Sequence, residues 1–188
     1  TGANSGIGLA LTTRLLSLNN KIFATFNQNN ENLLKLRNNN LKIIQCDQSE
    51  IENIEKLKKF LRNEKINIII NNAATWGGNE QGYNNTNYEN FHRAINVNAL
   101  SILKLSEVVL KYASKDCLNS IVNISSLYTS IERNKTGKDY IYKGSKSLMN
   151  SISKNLSIDL KKDYGINVFS ICPGNVKTKL NPLGILDP

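Results

Sequence analysis

Short apolar runs alternate along the chain with longer segments in which apolar side chains recur at helical spacing. Runs of roughly four to eight apolar residues between turn residues predict buried strands, whereas recurrence about every three or four residues predicts a helix. Strands are therefore predicted at Lys21–Phe26, Leu41–Cys46, Ile66–Ile70, Ser120–Ile124 and Asn167–Ile171. Helices are predicted at Leu9–Leu18, Glu31–Asn38, Ser49–Asn63 (with Ser49 as N-cap), Tyr88–Tyr112 and Tyr142–Lys162.

This alternation of strands and helices predicts the fold class. Helices that return the chain between strands give right-handed crossovers and a parallel sheet covered on both faces. Ile66–Ile70 is apolar except for Asn67, as expected of a strand that is largely buried on both faces. We therefore expect one α/β domain over residues 1–188, with a three-layer, doubly wound parallel sheet of the Rossmann type. Such sheets bind ligands at the carboxyl ends of their strands.

The first and last residues fit this domain incompletely. The chain opens in a glycine loop that should follow a strand, and it stops at Pro188 soon after the last predicted strand. We therefore expect a fragment that lacks the first strand and the C-terminal strand of such a domain.

The net charge of +9 raises the question of an anionic partner. Lys and Arg are scattered among acids, however, and about one residue in six is Asn, so a compositional bias explains the charge better than nucleic-acid binding does. A basic surface could still attract a phosphorylated cofactor. No apolar run approaches the ~18 residues that span a bilayer. We expect a cytoplasmic protein with neither a nucleic-acid nor a membrane partner.

The three cysteines predict no disulfide framework and no metal site. Cys46, Cys117 and Cys172 lie far apart, and each is in or beside an apolar run. This pattern is typical of buried thiols in a reducing compartment.

A glycine-rich loop opens the chain and leads into the first predicted helix. Glycine permits positive φ and close backbone approach, and a helix N-terminus supplies N–H donors and partial positive charge to a pyrophosphate. A simple turn is the alternative, but the helix and strand that follow favour dinucleotide binding. The residues of the loop expected to bind a cofactor are Gly2, Asn4, Ser5, Gly6, Ile7 and Gly8.

Tyr142 and Lys146 form a candidate acid–base pair. Residues i and i+4 share a helix face, so both side chains can point into one cleft. A tyrosine titrates near about pH 10, and a neighbouring ammonium is expected to lower that pKa towards working pH. The motif Y-x-x-x-K is expected about once by chance in a chain of this composition, so it carries no assignment alone.

The ordered series of motifs resembles the short-chain dehydrogenase/reductase family. The loop reads T-G-x-x-x-G-x-G, and later segments follow the family in order: Asp47 after a strand, Asn71-Asn72-Ala73-Ala74, Asn96-Val97-Asn98-Ala99, Ile121–Ser126, Tyr142–Lys146 and Cys172–Thr178. The polar segment 130–137 resembles the branch that contains C-factor and sniffer-type carbonyl reductases. Ala74 replaces the usual glycine of N-N-A-G, a mild departure.

The resemblance implies specific roles. Tyr142 would exchange a proton with the substrate oxygen, and Ser126 would hydrogen-bond that oxygen, with Ser125 as a rival. Lys146 would lower the Tyr142 pKa and bind the nicotinamide ribose, while Asn98 would position a water. Further cofactor contacts are implied for Asn27, Asp47 (adenine), Gln48, Asn72, Val176 and Thr178, besides Tyr142 and Lys146.

The cofactor preference is predicted from the end of the second strand of such a fold. An acid there selects NAD, and a basic residue suits the 2′-phosphate of NADP. The segment Ala24–Gln28 holds neither, and the missing acid favours NADP, with NAD possible.

The sequence thus predicts an NAD(P)-dependent oxidoreductase that acts on a small carbonyl or alcohol. The alternatives are a signalling protein of the same fold with little turnover, and a sugar-nucleotide epimerase or dehydratase, which usually has a different glycine spacing. The resemblance also implies possible pairing of subunits through the two long helices, about 88–112 and 142–162.

Overall fold

The computed structural model describes residues 1–114 and 116–188. These residues form two compact units. The first unit comprises residues 1–47 and 174–188, and the second comprises residues 48–173.

Two parallel strands organise the first unit. Its elements are α1 (Gly6–Ser17), β1 (Ile22–Phe26), α2 (Glu31–Leu34) and β2 (Leu41–Gln45). The strands pair in parallel over their whole length, and the N–H of Ala3 donates to the carbonyl of Thr25 in β1 at 2.9 Å. Ala3, Ala24, Phe26 and Leu33 form the buried core of this unit. The glycine loop is therefore tied to the sheet just before α1 begins.

A three-stranded parallel sheet, in the order β3-β4-β5, organises the second unit. The elements are α3 (Ile51–Glu55), α4 (Lys58–Leu61), β3 (Ile68–Asn71), α5 (Tyr88–Ile95), α6 (Ser101–Tyr112), β4 (Ser120–Ile124), α7 (Tyr140–Tyr164) and β5 (Asn167–Ile171). A π-helical segment, Asn96–Leu100, joins α5 to α6, and a 3₁₀ turn, Leu127–Thr129, follows β4.

Helix α7 is held on this sheet by one buried stripe. Met149, Ser153, Leu156 and Leu160 are buried at helical spacing, and the helix contacts β5, α5 and the π-helical segment. Gly165, with φ of +71°, ends α7 in the left-handed conformation that suits glycine. This packing fixes the first turns of α7 near the carboxyl ends of the strands, where a parallel sheet binds ligands.

The predicted strands and helices are confirmed in type and order, with changes in their bounds. The predicted helix Ser49–Asn63 is two short helices, because the N–H groups of Lys56 and Leu57 bond to carbonyls three residues back instead of four. Glu50, not Ser49, stands at the N-cap position of α3.

Several other helix bounds differ from the prediction. The helix Tyr88–Tyr112 contains the π-helical segment, and α2 stops at Leu34 rather than Asn38. Helix α1 begins three residues before Leu9, because the glycine loop itself supplies its first turn.

Two expectations about burial are wrong. Strand β3 begins at Ile68 rather than Ile66, and Ile68 is 55% exposed, so the strand is not buried on both faces at its first residue. Cys46 is buried, but Cys117 is half-buried and Cys172 is exposed, because Cys172 lies beyond the end of β5. None of the helices in the described ranges is long and apolar enough to cross a membrane.

Candidate active site

The glycine loop of the first unit presents an open helix end. Ser5 is the N-cap residue of α1 in extended conformation, and its side chain makes no cap hydrogen bond. Gly6 has φ of +50°, and a Cβ there would lie 2.9 Å from Cγ2 of Thr178. A side chain at Gly6 would therefore be strained and would fill space beside the helix end. An uncapped helix N-terminus with a glycine cradle fits the pyrophosphate of a dinucleotide.

The remaining predicted cofactor residues divide between the two units. In the first unit, Asn27 directly follows β1 and Asp47 is the second residue after β2. The 174–188 segment of the same unit supplies Val176 and Thr178. Gln48, which is buried, and Asn72 belong to the second unit. The contact between Thr178 and Gly6 brings together two of these predicted positions that are far apart in sequence.

Tyr142 and Ser126 meet in the second unit. Tyr142 lies in the first turn of α7 and is 7% exposed, whereas its rival Tyr140 is 48% exposed. Burial raises the pKa of Tyr142, and a hydrogen bond from the Ser126 hydroxyl partly offsets the rise. The spacing to Lys146 predicts a lowered pKa; the direction is opposite because desolvation penalises the phenolate.

The two adjacent serines after β4 have different environments. The Ser125 hydroxyl donates to Oδ1 of Asn150 at 2.8 Å. Ser126 instead contacts Tyr142, and its oxygen accepts the N–H of Tyr128 at 3.2 Å. The geometry thus favours Ser126 over Ser125 as the serine of the site.

Lys146 is buried one turn along α7 from Tyr142. Its ammonium donates to the carbonyl of Ile124, at the end of β4, at 2.6 Å and lies 3.8 Å from the Met149 sulfur. Burial lowers the pKa of Lys146 to about 8. The ammonium is thus held at the carboxyl end of the sheet with its charge poorly solvated.

Asn98 lies inside the π-helical segment, and both its amide oxygen and its amide nitrogen form hydrogen bonds. Its Oδ1 accepts the N–H of Thr75 at 2.8 Å, and its Nδ2 donates to the Thr75 carbonyl and to the Ser145 hydroxyl, both at 2.9 Å. The Ser145 hydroxyl in turn donates to the carbonyl of Tyr142 at 3.1 Å. Asn98 therefore connects the chain after β3 to the helix that carries Tyr142.

Sequence reasoning missed an aromatic cluster and the residue that holds it. The Trp76 ring stacks on Tyr142 with centroids 4.4 Å apart and an interplanar angle of 27°. Tyr128 meets both rings edge-on, at 6.1 Å from Trp76 and 6.2 Å from Tyr142. Gln81, which is buried, bonds to both the tryptophan segment and α7. These residues lie in predicted loops, where periodicity gives no signal.

A polar cavity of about 340 Å³ opens beside Ser126. Hydroxyl and amide side chains dominate its lining, among them Thr129, Ser130 and Asn150, and Arg133 also contributes. The cavity offers a small polar molecule room next to the serine that contacts Tyr142.

The short chain dehydrogenase family model matches residues 1–183. An uncharacterized oxidoreductase of Saccharomyces cerevisiae is 25% identical over 186 residues, which cover 96% of this chain and 59% of the yeast protein. The C-signal protein of Myxococcus xanthus is 26% identical over 115 residues, 61% of this chain and 68% of that protein. This chain thus spans well under two thirds of the yeast relative.

Solved structures of similar proteins have the same fold. The NADPH-bound carbonyl reductase from chicken fatty liver is 28% identical, with a TM-score of 0.83 over 100% of this chain and 81% of that one. The carbonyl reductase Sniffer of Drosophila melanogaster is 25% identical, with a TM-score of 0.85 over 99% and 84%. These matches confirm the resemblance inferred from the motifs and the Rossmann-type α/β fold with parallel strands.

The segment that carries Trp76 tests how tightly this site is built. Gly77 has φ of +92°, and a Cβ there would overlap the side chain of Ile141; Gly137 has φ of +60° with open space around it. Gly77→Ala should therefore cost the backbone strain plus overpacking, about 2–4 kcal/mol of unfolding free energy in total. Gly137→Ala, the matched control, should cost only the strain, about 1 kcal/mol. Urea unfolding measures both, and equal losses would show that the Ile141 contact is not tight.

Proposed function

Because the chain belongs to the short-chain dehydrogenase family, we propose that it is an NADP-dependent oxidoreductase that interconverts a small carbonyl compound and its alcohol. Tyr142 is the proposed general acid and base. The observation that carries the proposal is the contact between the Ser126 and Tyr142 hydroxyls at a buried position beside a polar cavity. Two hydroxyls that are in contact can bind one carbonyl oxygen together.

The proposed reduction divides between the bound nicotinamide and the protein. When bound, the nicotinamide would supply the hydride that reduces the carbonyl carbon. Tyr142 donates its phenolic proton to the carbonyl oxygen, so that C=O becomes CH–OH. Ser126 donates a hydrogen bond to the same oxygen and stabilises the negative charge that develops there. The raised pKa of Tyr142 favours the protonated form, which reduction requires.

Lys146 and Asn98 support the proposed acid. Lys146 places a buried positive charge one turn from Tyr142, which would stabilise the phenolate left after proton transfer, and its ammonium would also hold the nicotinamide ribose. Asn98 fixes the Thr75 segment and, through Ser145, the backbone of Tyr142. We propose that Asn98 holds these backbone segments in place and also positions the water implied by the family resemblance.

The cofactor would be held mainly by the uncapped start of α1 and the glycine cradle. The pyrophosphate would accept hydrogen bonds from the N–H groups there, because the Ser5 side chain does not occupy them. The residues proposed to contact the dinucleotide are Gly2, Asn4, Ser5, Gly6, Ile7, Gly8, Asn27, Asp47, Gln48, Asn72, Tyr142, Lys146, Val176 and Thr178.

A preference for NADP is proposed from the end of β1. Asn27 follows the strand where an acid would repel a 2′-phosphate, and the chain there carries no acid. The similar chicken carbonyl reductase is bound to NADPH, which supports the same preference for this chain.

The substrate and partners are proposed only by class. The cavity beside Ser126 suits a small carbonyl or alcohol whose polar groups meet hydroxyls. A cytoplasmic location, the absence of nucleic-acid or membrane partners, and pairing through α5–α6 and α7 stay predictions from the sequence.

A signalling role with little turnover is the second candidate, favoured by the match to the C-signal protein. In that case the fold and cofactor binding would be kept while Tyr142 chemistry is dispensable. Substitution of Tyr142, with Tyr140 as the control, distinguishes the two candidate functions.

Tyr142→Phe removes the proposed acid but keeps the ring, so carbonyl reduction should fall at least about 100-fold while NADPH binding persists. The matched control Tyr140→Phe alters an exposed hydroxyl two residues away and should leave turnover unchanged. NADPH oxidation by the full-length protein against aldehydes, ketones and quinones measures turnover, and cofactor fluorescence measures binding. Full turnover in Tyr142→Phe would overturn the assignment of the acid. A biological effect that survives Tyr142→Phe would instead support the signalling role.

Asn27→Asp adds a carboxylate where the 2′-phosphate is proposed to bind. Affinity for NADPH should fall about tenfold relative to NADH, the effect of roughly 1.4 kcal/mol of repulsion. Asn39→Asp, which makes the same charge change at an exposed position before β2, should leave the ratio of the two affinities unaltered. Titration calorimetry with both cofactors measures the ratio. An unchanged ratio in Asn27→Asp would place the adenosine ribose elsewhere.

A further inference from the structure

Gln81 bonds to two segments that lie far apart in sequence. Its Oε1 accepts the N–H of Tyr142 at 2.9 Å, and its Nε2 donates to the carbonyls of Trp76 at 2.8 Å and Gly78 at 2.7 Å. The side chain is buried, with the residue 3% exposed. The amide has one orientation, because a flip would set its oxygen against two carbonyls and its NH₂ against an N–H.

Gln81 also supplies the missing cap of α7. The N-cap residue, Asp139, makes no side-chain cap hydrogen bond. The first N–H groups of a helix have no partner inside it, and here Tyr140 N–H bonds to the Gln81 carbonyl at 3.3 Å while Tyr142 N–H bonds to the Gln81 side chain. One residue therefore sets both the start of α7 and the position of the Trp76 backbone.

The consequence is the stack of Trp76 on Tyr142. Trp76 is the only tryptophan of the chain, and its ring covers the face of Tyr142 at a 4.4 Å centroid distance. Asn98 holds the preceding residue, Thr75, by both backbone groups. The segment 75–78 is thus anchored on each side of the tryptophan, and the ring has little freedom to leave Tyr142.

We propose that Gln81 is a positioning residue that holds Trp76 against Tyr142 and so keeps the phenol shielded from water in its proton-donating form. This inference rests on the proposed function for its catalytic meaning, but the stack itself can be tested without turnover. The titratable groups that face Tyr142 are Tyr128 and Cys172. Lys146 lies one turn along α7, with its ammonium bonded to Ile124.

Two substitutions separate capping from positioning. Gln81→Met has similar length and loses all three side-chain hydrogen bonds. Gln81→Glu keeps an acceptor for the Tyr142 N–H, and its charge suits a helix N-terminus, but as a carboxylate it cannot donate to Trp76 or Gly78. If Gln81 only caps α7, Gln81→Glu should resemble the unchanged protein. If Gln81 positions Trp76, both variants should change the Trp76 emission in the same direction.

Trp76 fluorescence is the readout, because a neighbouring tyrosinate quenches tryptophan emission and no other tryptophan contributes. The full-length protein is titrated from pH 8 to 12 with circular dichroism to confirm folding. Subtracting the Tyr142→Phe titration isolates Tyr142, and Tyr128→Phe identifies the contribution of the other adjacent ring. Gln45→Met, the same substitution in the first unit, is the matched control and should leave the titration unchanged.

The quenching midpoint of Tyr142 should lie above pH 10 in the unchanged protein, since burial raises this pKa. It should fall by about one pH unit in Gln81→Met as water reaches the phenol. In Gln81→Glu the added carboxylate opposes this fall, so the position of Trp76 is judged there from its emission below the midpoint. The alkaline limb of carbonyl reduction should move with the midpoint. Identical emission and midpoints in the unchanged protein and Gln81→Met would overturn the inference, and so would a changed Trp76 emission in Gln81→Met with an unchanged emission in Gln81→Glu. If no carbonyl is reduced, the proposed function fails while the fluorescence still decides the role of Gln81.

Discussion

The Tyr142 phenol lies where water is largely excluded, so each polar group around it must find its partner within the protein. The arrangement of the second unit at this point follows from that constraint. The side-chain amides of Asn98 and Gln81 form hydrogen bonds with backbone groups of the segment 75–78 and with α7. The Ser126 hydroxyl bonds to Tyr142, whereas the Ser125 hydroxyl donates a hydrogen bond to Asn150.

The same exclusion of water sets the charges of the site. Burial raises the pKa of Tyr142 and lowers the pKa of Lys146, so both groups are pushed towards their neutral forms. A neutral phenol is the form that gives a proton to a carbonyl oxygen. The poorly solvated ammonium one turn away gains most from a partner that brings negative charge or hydrogen-bond acceptors.

Much of the fold and part of the site could be predicted from the sequence, for identifiable reasons. Strand β4 was predicted with the bounds Ser120–Ile124 because its apolar run is short and flanked by polar residues. The order of the motifs along the chain predicted the family to which the protein belongs. The sequence could not show Trp76 over Tyr142, since that contact depends on Gln81, which lies 61 residues before Tyr142 in a loop without periodicity. Nor could it show the direction of the Tyr142 pKa, which depends on burial more than on the spacing to Lys146.

Transfer of deuterium tests the central claim most directly. NADPH with both C4 hydrogens of the nicotinamide replaced by deuterium is incubated with the full-length protein and a panel of aldehydes and ketones, and the products are examined by mass spectrometry. The account predicts an alcohol that carries deuterium on the former carbonyl carbon of at least one substrate. It also predicts that Tyr142→Phe nearly abolishes this product. Absence of deuterated alcohol from every substrate, with NADPH shown to bind, would contradict it.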